Sequence, residues 1–458
     1  MKLAEISRCF QGVIPSVVAS ADANGIPNIT YVSQVYLVDD GHVALSQQFF
    51  NKTRRNFDEN PNGCVEVYDP VTFQAYRLRL RFLRSEKSGP LFDTMAMRIL
   101  AIASHTGMEG VFRLVAADVF EVVRVEKVDG FLTGTAVGED EAVSATGHRT
   151  ELRGLQLVSD RINRADDLEN LLAATLDALD VYFGFRHTIV LLYDHALQRL
   201  VTIACRGYGG GGVGAEVVPG EGLIGTVARE RRILRISGLN EKLRYGRAVR
   251  RSVMSDTGGL HVRPEIPLPG LPDAQSALII PLLVEEQLIG VLAAESRDPL
   301  LFGEWDETYL GIIGNQIALG IDRVSSDEPA SQTVPQSYEP PVLRTVPPPP
   351  ARARHTLTYY REDDTVFLDD EYLVRNVPGR ILWKLVGEWK RQGRTAFTNR
   401  ELRLDRTLGL PEIKDNLESR LILLRHRLRE KCPNVQITPA GRGKFTLDVA
   451  AELDLVER

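Results

Sequence analysis

Apolar and polar residues alternate through most of the first 130 positions. The stretches VIPSVVAS (13–20), NITYVSQVYLV (28–38), HVALSQ (42–47), GCVEVYD (63–69), YRLRLRFLRS (76–85) and VFEVVRVEKV (119–128) are rich in β-branched residues. That period predicts strands with one buried face, and hence an antiparallel barrel or sandwich. DANG (22–25) and DDG (39–41) supply hairpin turns between them.

The pattern changes after a small-residue, acidic stretch at 134–148. The run 153–183 is helical, TIVLLYD (188–194) and RLVTIAC (199–205) are strands, and 306–324 is a closing helix. A sheet flanked by helices, an α+β layout, is expected there. From 325 to 354 the chain is rich in Pro, Ser and Gln with few large apolar residues. Such a composition cannot bury a core and predicts a semi-stiff linker. The chain therefore divides into units at 1–130, 150–324 and 355–458, with 325–354 as the linker.

In 412–431, EIKDNLESRLILLRHRLREK, residues Ile413, Leu417, Leu421, Leu424 and Leu428 form one helical stripe. Ser419 and His426 lie opposite, flanked by Asn416, Arg420 and Arg427 on one side and by Arg425 and Arg429 on the other. Ile422 and Leu423 fall near this polar side, where they meet either thymine methyls or a neighbouring domain. Then follow VQIT, a Pro-Ala-Gly-Arg-Gly turn and KFTLDV. The Gly-Arg-Gly-Lys sequence invites comparison with a phosphate-binding loop, but that loop must lead into a helix. Lys444 is followed by Phe445 and a strand, so the turn is the tip of a β-hairpin.

A helix running into a Gly-rich hairpin resembles the end of the winged-helix DNA-binding domain of OmpR/PhoB-type response regulators. FLDDEYLV (367–374), the helix 378–389, TNREL (398–402), LRHRL (424–428) and GRGKF (441–445) carry the resemblance over about a hundred residues. Arg380 and the loop LDRTLGLPEI (404–413) depart from that family's usual pattern. The resemblance implies DNA contacts by Asn399, Arg400, Asn416, Ser419, Arg420, Arg427, Arg442 and Lys444. Charge agrees: residues 390–444 hold 14 Lys and Arg against 6 Asp and Glu, in a chain of net charge −6. A local basic face is what phosphate contacts require.

The stretch VVPGEGLIGTVARERRILRISGL (217–239), the strand pair SALIIPLL and LIGVLAAES, and the helix after FGEWDE resemble a GAF domain. The resemblance implies a small-molecule effector pocket. The arginine-bearing loop 240–275 is either a lid over that pocket or a solvated or dimer-facing segment.

Residues 25–69, with the run KTRRNF (52–57) before ENP, resemble the first half of a flavin-binding split barrel of the pyridoxamine-5′-phosphate-oxidase superfamily. The resemblance implies FMN held by Ser46, Lys52, Thr53, Arg55 and Asn56, and a homodimer. Other members of that superfamily bind haem or deazaflavin, or nothing.

The four cysteines are scattered, no run of 18 apolar residues occurs, and the amino-terminal stretch has no signal-peptide pattern. A soluble, cytoplasmic protein without a membrane span or metal site is expected. The expected architecture is multidomain: a β split barrel, an α/β GAF domain and a winged helix-turn-helix. The expected function is a ligand- or redox-sensing transcriptional regulator. An FMN-dependent oxidoreductase governed by its GAF domain is the alternative, and a protein-binding scaffold a third reading. No acid–base pair suggests catalysis, and a lone His105 does not supply one.

Overall fold

The computed structural model describes residues 1–48, 52–111, 113–128, 145–165, 167–195, 197–208, 213–244, 247, 270–326, 354–362, 364–410, 417–441 and 443–458. The N-terminal unit is a seven-stranded antiparallel sheet in the order β2-β1-β5-β6-β7-β4-β3. Its strands are β1 (Ser16–Ala21), β2 (Pro27–Val32), β3 (Val35–Asp39), β4 (His42–Gln47), β5 (Asn62–Tyr68), β6 (Ala75–Glu86) and β7 (Ala116–Val128). Alternate positions on these strands, including Val18, Val43, Val65, Leu78 and Phe120, build the core. The stretch 28–38 reads as one strand but is two. Gln34 turns inward between them and its Nε2 donates to the Phe10 carbonyl at 2.8 Å.

Two elements of this unit escape the alternation argument. A 3₁₀ helix, Leu3–Phe10, buries Leu3, Ile6, Cys9 and Phe10. After α1 (Lys52–Glu59), helix α2 (Pro90–His105) starts with Pro at its first turn, where the missing N–H costs nothing. Its second half is buried nearly all round, because it lies between the N-terminal sheet and the middle unit.

The middle unit contains α3 (Ala145–Arg164), α4 (Leu168–Phe183), α5 (Gly222–Glu230) and α6 (Glu304–Ser326) around a six-stranded antiparallel sheet. The strands are β8 (His187–Asp194), β9 (Arg199–Arg206), β10 (Glu216–Val217), β11 (Leu234–Ile236), β12 (Ser276–Val284) and β13 (Gln287–Ser296), in the order β10-β9-β8-β13-β12-β11. Helices α3, α4 and α6 share a core with one face of the sheet. Helices α5 and α2 share a core with the other. With both faces covered, β12 is buried continuously from Ser276 to Leu282 and does not alternate. Ser104 of α2 ties the two units: its Oγ accepts from the Gly222 N–H at 3.0 Å.

The C-terminal unit begins with β14 (Arg354–Tyr360), β15 (Thr365–Leu368) and β16 (Glu371–Val374). Helix α7 (Asn376–Gln392) follows, then β17 (Ala396–Thr398), α8 (Asn399–Leu404) and α9 (Leu417–Lys431). It ends with β18 (Val435–Pro439), β19 (Lys444–Val449) and β20 (Glu452–Glu457). Strand β20 returns to pair in parallel with β14, so the sheet order is β16-β15-β14-β20, while β17-β19-β18 form a separate sheet. The hairpin turn at Gly441 and Gly443 has φ of +101° and +64°, conformations that favour glycine. Gly379 lets α7 pass close to β15: a Cβ there would lie 1.9 Å from the Asp364 carbonyl oxygen.

Candidate functional site

Two places gather chemistry. The first is a cleft of about 220 Å³ in the N-terminal sheet, between β2, β4, α1 and β7. Its walls are apolar (Val18, Val32, Leu45, Phe57, Phe120) and its polar rim is Ser46, Gln48, Thr53, Arg54 and Asp118. Of the residues expected to hold FMN, Ser46 and Thr53 line the cleft. Thr53 is fixed by Asn28, whose Nδ2 donates to its hydroxyl at 2.9 Å. Asn56 is buried but spent on structure, donating to Ser20 Oγ at 3.0 Å. Lys52 and Arg55 are exposed, outside the cleft lining.

The cation in the cleft is instead Arg54, which sequence reasoning passed over. It lies 2.7 Å from Asp58 and 3.5 Å from Asp118, and its guanidinium stacks 4.5 Å over Phe82. Burial pushes the Asp118 carboxyl above its usual range, opposed by a hydrogen bond from Ser85 and by the Arg54 charge. The Gln48 Oε1 atom is buried with no hydrogen-bond partner among the described residues. Hydroxyl, amide and guanidinium donors over apolar walls fit a flat, amphipathic group. Asp118 is the misfit for an anionic one.

The second place is the outer face of α9. Leu417, Leu421, Leu424 and Leu428 enter the C-terminal core, as the helical stripe requires. Much of the opposite face lies on the middle unit, with His426 and Arg427 half-buried and Arg429 exposed. Ser419 is 7% exposed and Arg420 5%. Arg420 Nη2 sits 3.0 Å from Asp194 Oδ2 at the end of β8. Arg425 pairs with Glu169 of α4, and Arg375 Nη2 lies 3.2 Å from Glu216 of β10. Ile422 joins the middle unit's apolar core. Leu423 and Arg427 close over Gly214, where a Cβ would stand 2.9 Å from Leu423 Cδ1 and 3.2 Å from Arg427 Nη2.

The remaining expected DNA-contacting residues separate into groups. Arg400 and Lys444 are exposed. Asn399 is buried, its Nδ2 donating weakly to Glu418 at 3.4 Å. Asn416 and Arg442 lie outside the described residues, as does most of the loop 240–275. The acidic partners Asp194, Glu169 and Glu216 had no sequence signal, because they sit on three separate elements with no common spacing.

Among the described residues, no group of three or more His, Cys, Asp and Glu side chains could hold a metal ion. No helix among them is long and apolar enough to cross a membrane.

Residues 167–321 match the GAF domain family model. The GAF domain from an Acinetobacter phosphoenolpyruvate-protein phosphotransferase is similar, with 19% identity over 40% of this chain and 98% of that one, at a TM-score of 0.30. Free methionine-R-sulfoxide reductase from Neisseria meningitidis shows 19% identity over 40% of this chain and 95% of that one, at 0.31. An FMN-binding protein from Syntrophomonas wolfei subsp. wolfei shows 19% identity over 28% of this chain and 90% of that one, at 0.24. No curated relative matches the chain by sequence. Residues 167–321 of the middle unit therefore form a GAF domain.

Proposed function

We propose that the chain is a cytoplasmic, homodimeric, ligand- or redox-sensing transcriptional regulator in which a split barrel and a GAF domain control a winged-helix DNA-binding unit. The observation that carries the reading is the C-terminal succession α7, α8, α9 and the β18–β19 hairpin, with a basic helix leading directly into a glycine-turned wing. On that reading α9 enters the major groove through Ser419, Arg420 and Arg427, with Asn416 and Asn399 beside them, and Arg442 and Lys444 of the wing reach the neighbouring backbone or minor groove. Arg400, exposed at the start of α8, meets phosphate.

The GAF domain supplies a pocket for a small-molecule effector. The cleft at Ser46 and Thr53 is the candidate FMN site, with Lys52 and Arg55 exposed outside its lining. Exposed Ile29 (68%) and Tyr31 (69%) on the edge strand β2 offer the N-terminal unit a dimer surface.

The test is binding of the full chain to a mixed-sequence DNA duplex over a salt series. Binding should weaken with salt, and R400A/K444A should lower the logarithmic slope by about 2, one unit per lost phosphate contact. A salt-independent or absent interaction at low ionic strength, in wild type and in variants that expose α9, would sink the regulator reading. The cleft favours FMN-dependent oxidoreductase chemistry as the second reading. A visible spectrum of the purified protein without flavin bands would remove it.

A further inference from the structure

We propose that the acidic rim of the GAF domain is a docking surface that takes the place of nucleic-acid phosphate on α9, so that the chain engages DNA only once the C-terminal unit has left it. This rests on the DNA-binding reading above.

Three ion pairs cross the seam in one sense, although Glu216 is shared with Arg199 of β9 and Glu418 of α9 lies beside Glu169. In those three pairs the acid belongs to the GAF domain (Asp194, Glu169, Glu216) and the base to the C-terminal unit (Arg420, Arg425, Arg375). That is how a nucleic-acid surface would be met, with carboxylates standing where phosphates would. At its centre Ile422 enters the core formed by α4 and the sheet. Gly214, at φ +89°, brings the backbone close under Leu423 and Arg427. A duplex cannot reach Ser419 or Arg420 in this arrangement, because both are over nine-tenths buried.

The contact is also incompletely satisfied. Arg420 Nη1 and Arg425 Nε are buried without hydrogen-bond partners among the described residues. Open clefts of about 70 Å³ and 280 Å³ border α9. A seam built for permanence would pair these donors. Phosphate oxygens would satisfy the guanidinium donors more fully, so the two partners compete for one face. The connecting residues 327–353 span enough contour length for the C-terminal unit to depart without unfolding either side.

The experiment uses the full chain and a fluorescent mixed-sequence DNA duplex at low salt. D194N/E169Q/E216Q neutralises the rim; E285Q/E286Q/E304Q makes the same charge change at exposed GAF positions outside it. E169Q/E216Q, which leaves buried Asp194 intact, serves if the triple variant does not fold. Anisotropy reads affinity and small-angle scattering reads the radius of gyration. The expected result is a larger radius and DNA binding tighter by about tenfold for the rim variants alone, reflecting a larger binding-competent fraction. Equal binding by wild type and an expanded rim variant overturns the masking and leaves DNA binding standing. Equal gains in the control variant, or no expansion, overturn it too. Expansion with no DNA binding by any variant overturns the DNA-binding reading, and the inference with it.

Discussion

Arg420 and Asp194, 226 residues apart in sequence, meet as a buried ion pair with Nη2 and Oδ2 3.0 Å apart. Removing one partner of such a pair strands a charge, at a cost of about 3–5 kcal/mol, while removing both leaves a smaller deficit. The C-terminal unit can escape that cost by undocking, so the loss is limited to the free energy of docking. D194A and R420M should each lower the urea midpoint of the full chain, and D194A/R420M should lose less than their sum. Strict additivity would mean that the pair does not couple the two units.

Within the C-terminal unit, Lys384 Nζ bridges Asp405 and Glu388, at 2.5 Å and 2.8 Å. Partial burial works against the Asp405 charge, but the hydrogen bonds from Lys384 and Thr407 prevail and hold its carboxyl at about 2. A folded-state value below the unfolded one gives stability that is complete above about pH 4 and lost as pH falls through 2. D405N should therefore cost about 1–2 kcal/mol at pH 7, and the gap from wild type should close near pH 2. Unfolding of the unit followed by Trp383 and Trp389 fluorescence measures it; a gap that persists at pH 2 would refute the charge argument.

The alternation of residues 28–47 and 63–85 reveals the N-terminal strands because one face of each is buried. The stripe Leu417–Leu428 reveals α9 for the same reason at helical period. Helix α2 stayed hidden because its second half is buried between two units, where its sequence carries no polar face to give the period away. Strand β20 stayed hidden because its parallel partner β14 lies 98 residues earlier, from Arg354 to Glu452. Sequence reasoning found the basic face of α9, and left Ile422 and Leu423 between thymine methyls and a neighbouring domain. The structure puts both against the GAF domain. Which acids oppose the arginines was beyond a linear reading, since only the fold brings Glu169, Asp194 and Glu216 to one rim. In the cleft the helical phase of α1 decides: Thr53, Asn56 and Phe57 turn inward, so Arg54 is carried to the rim and Arg55 away from it.

That cleft makes a signed prediction with FMN as the probe. Asp118 and Asp58 occupy the Arg54 guanidinium, leaving little positive charge for a phosphate. D118N keeps the shape and the Ser85 contact while releasing Arg54, and should tighten FMN binding about tenfold, the worth of roughly 1.4 kcal/mol. T53V should weaken it by a similar factor by deleting a hydroxyl of equal volume. Flavin fluorescence quenching reads both. If neither change moves the titration, FMN does not use this cleft.

The GAF domain holds a buried carboxylate that tests its own wiring. Glu295 is 3% exposed and accepts from the Leu271 N–H at 2.7 Å and the Tyr208 hydroxyl at 2.8 Å. Gly270 crosses so close that a Cβ would lie 2.5 Å from Oε2. Burial drives the Glu295 carboxyl above the ordinary range, against those two hydrogen bonds, and burial likewise raises the Tyr208 hydroxyl. An acid with a raised folded value favours folding in its neutral form. Its cost to stability begins as pH climbs past the unfolded glutamate value near 4.3 and is complete above the folded value. E295Q retains an acceptor for Leu271 and removes the charge, so it should hold or raise the melting temperature at pH 8 and flatten its decline from pH 4. E295A strands both donors and should cost about 1–3 kcal/mol, with faster amide exchange at Leu271. Melting curves across pH, paired with hydrogen exchange of the peptide containing Leu271, separate the two variants. A Gln variant as damaging as the Ala variant would show that the charge itself is needed.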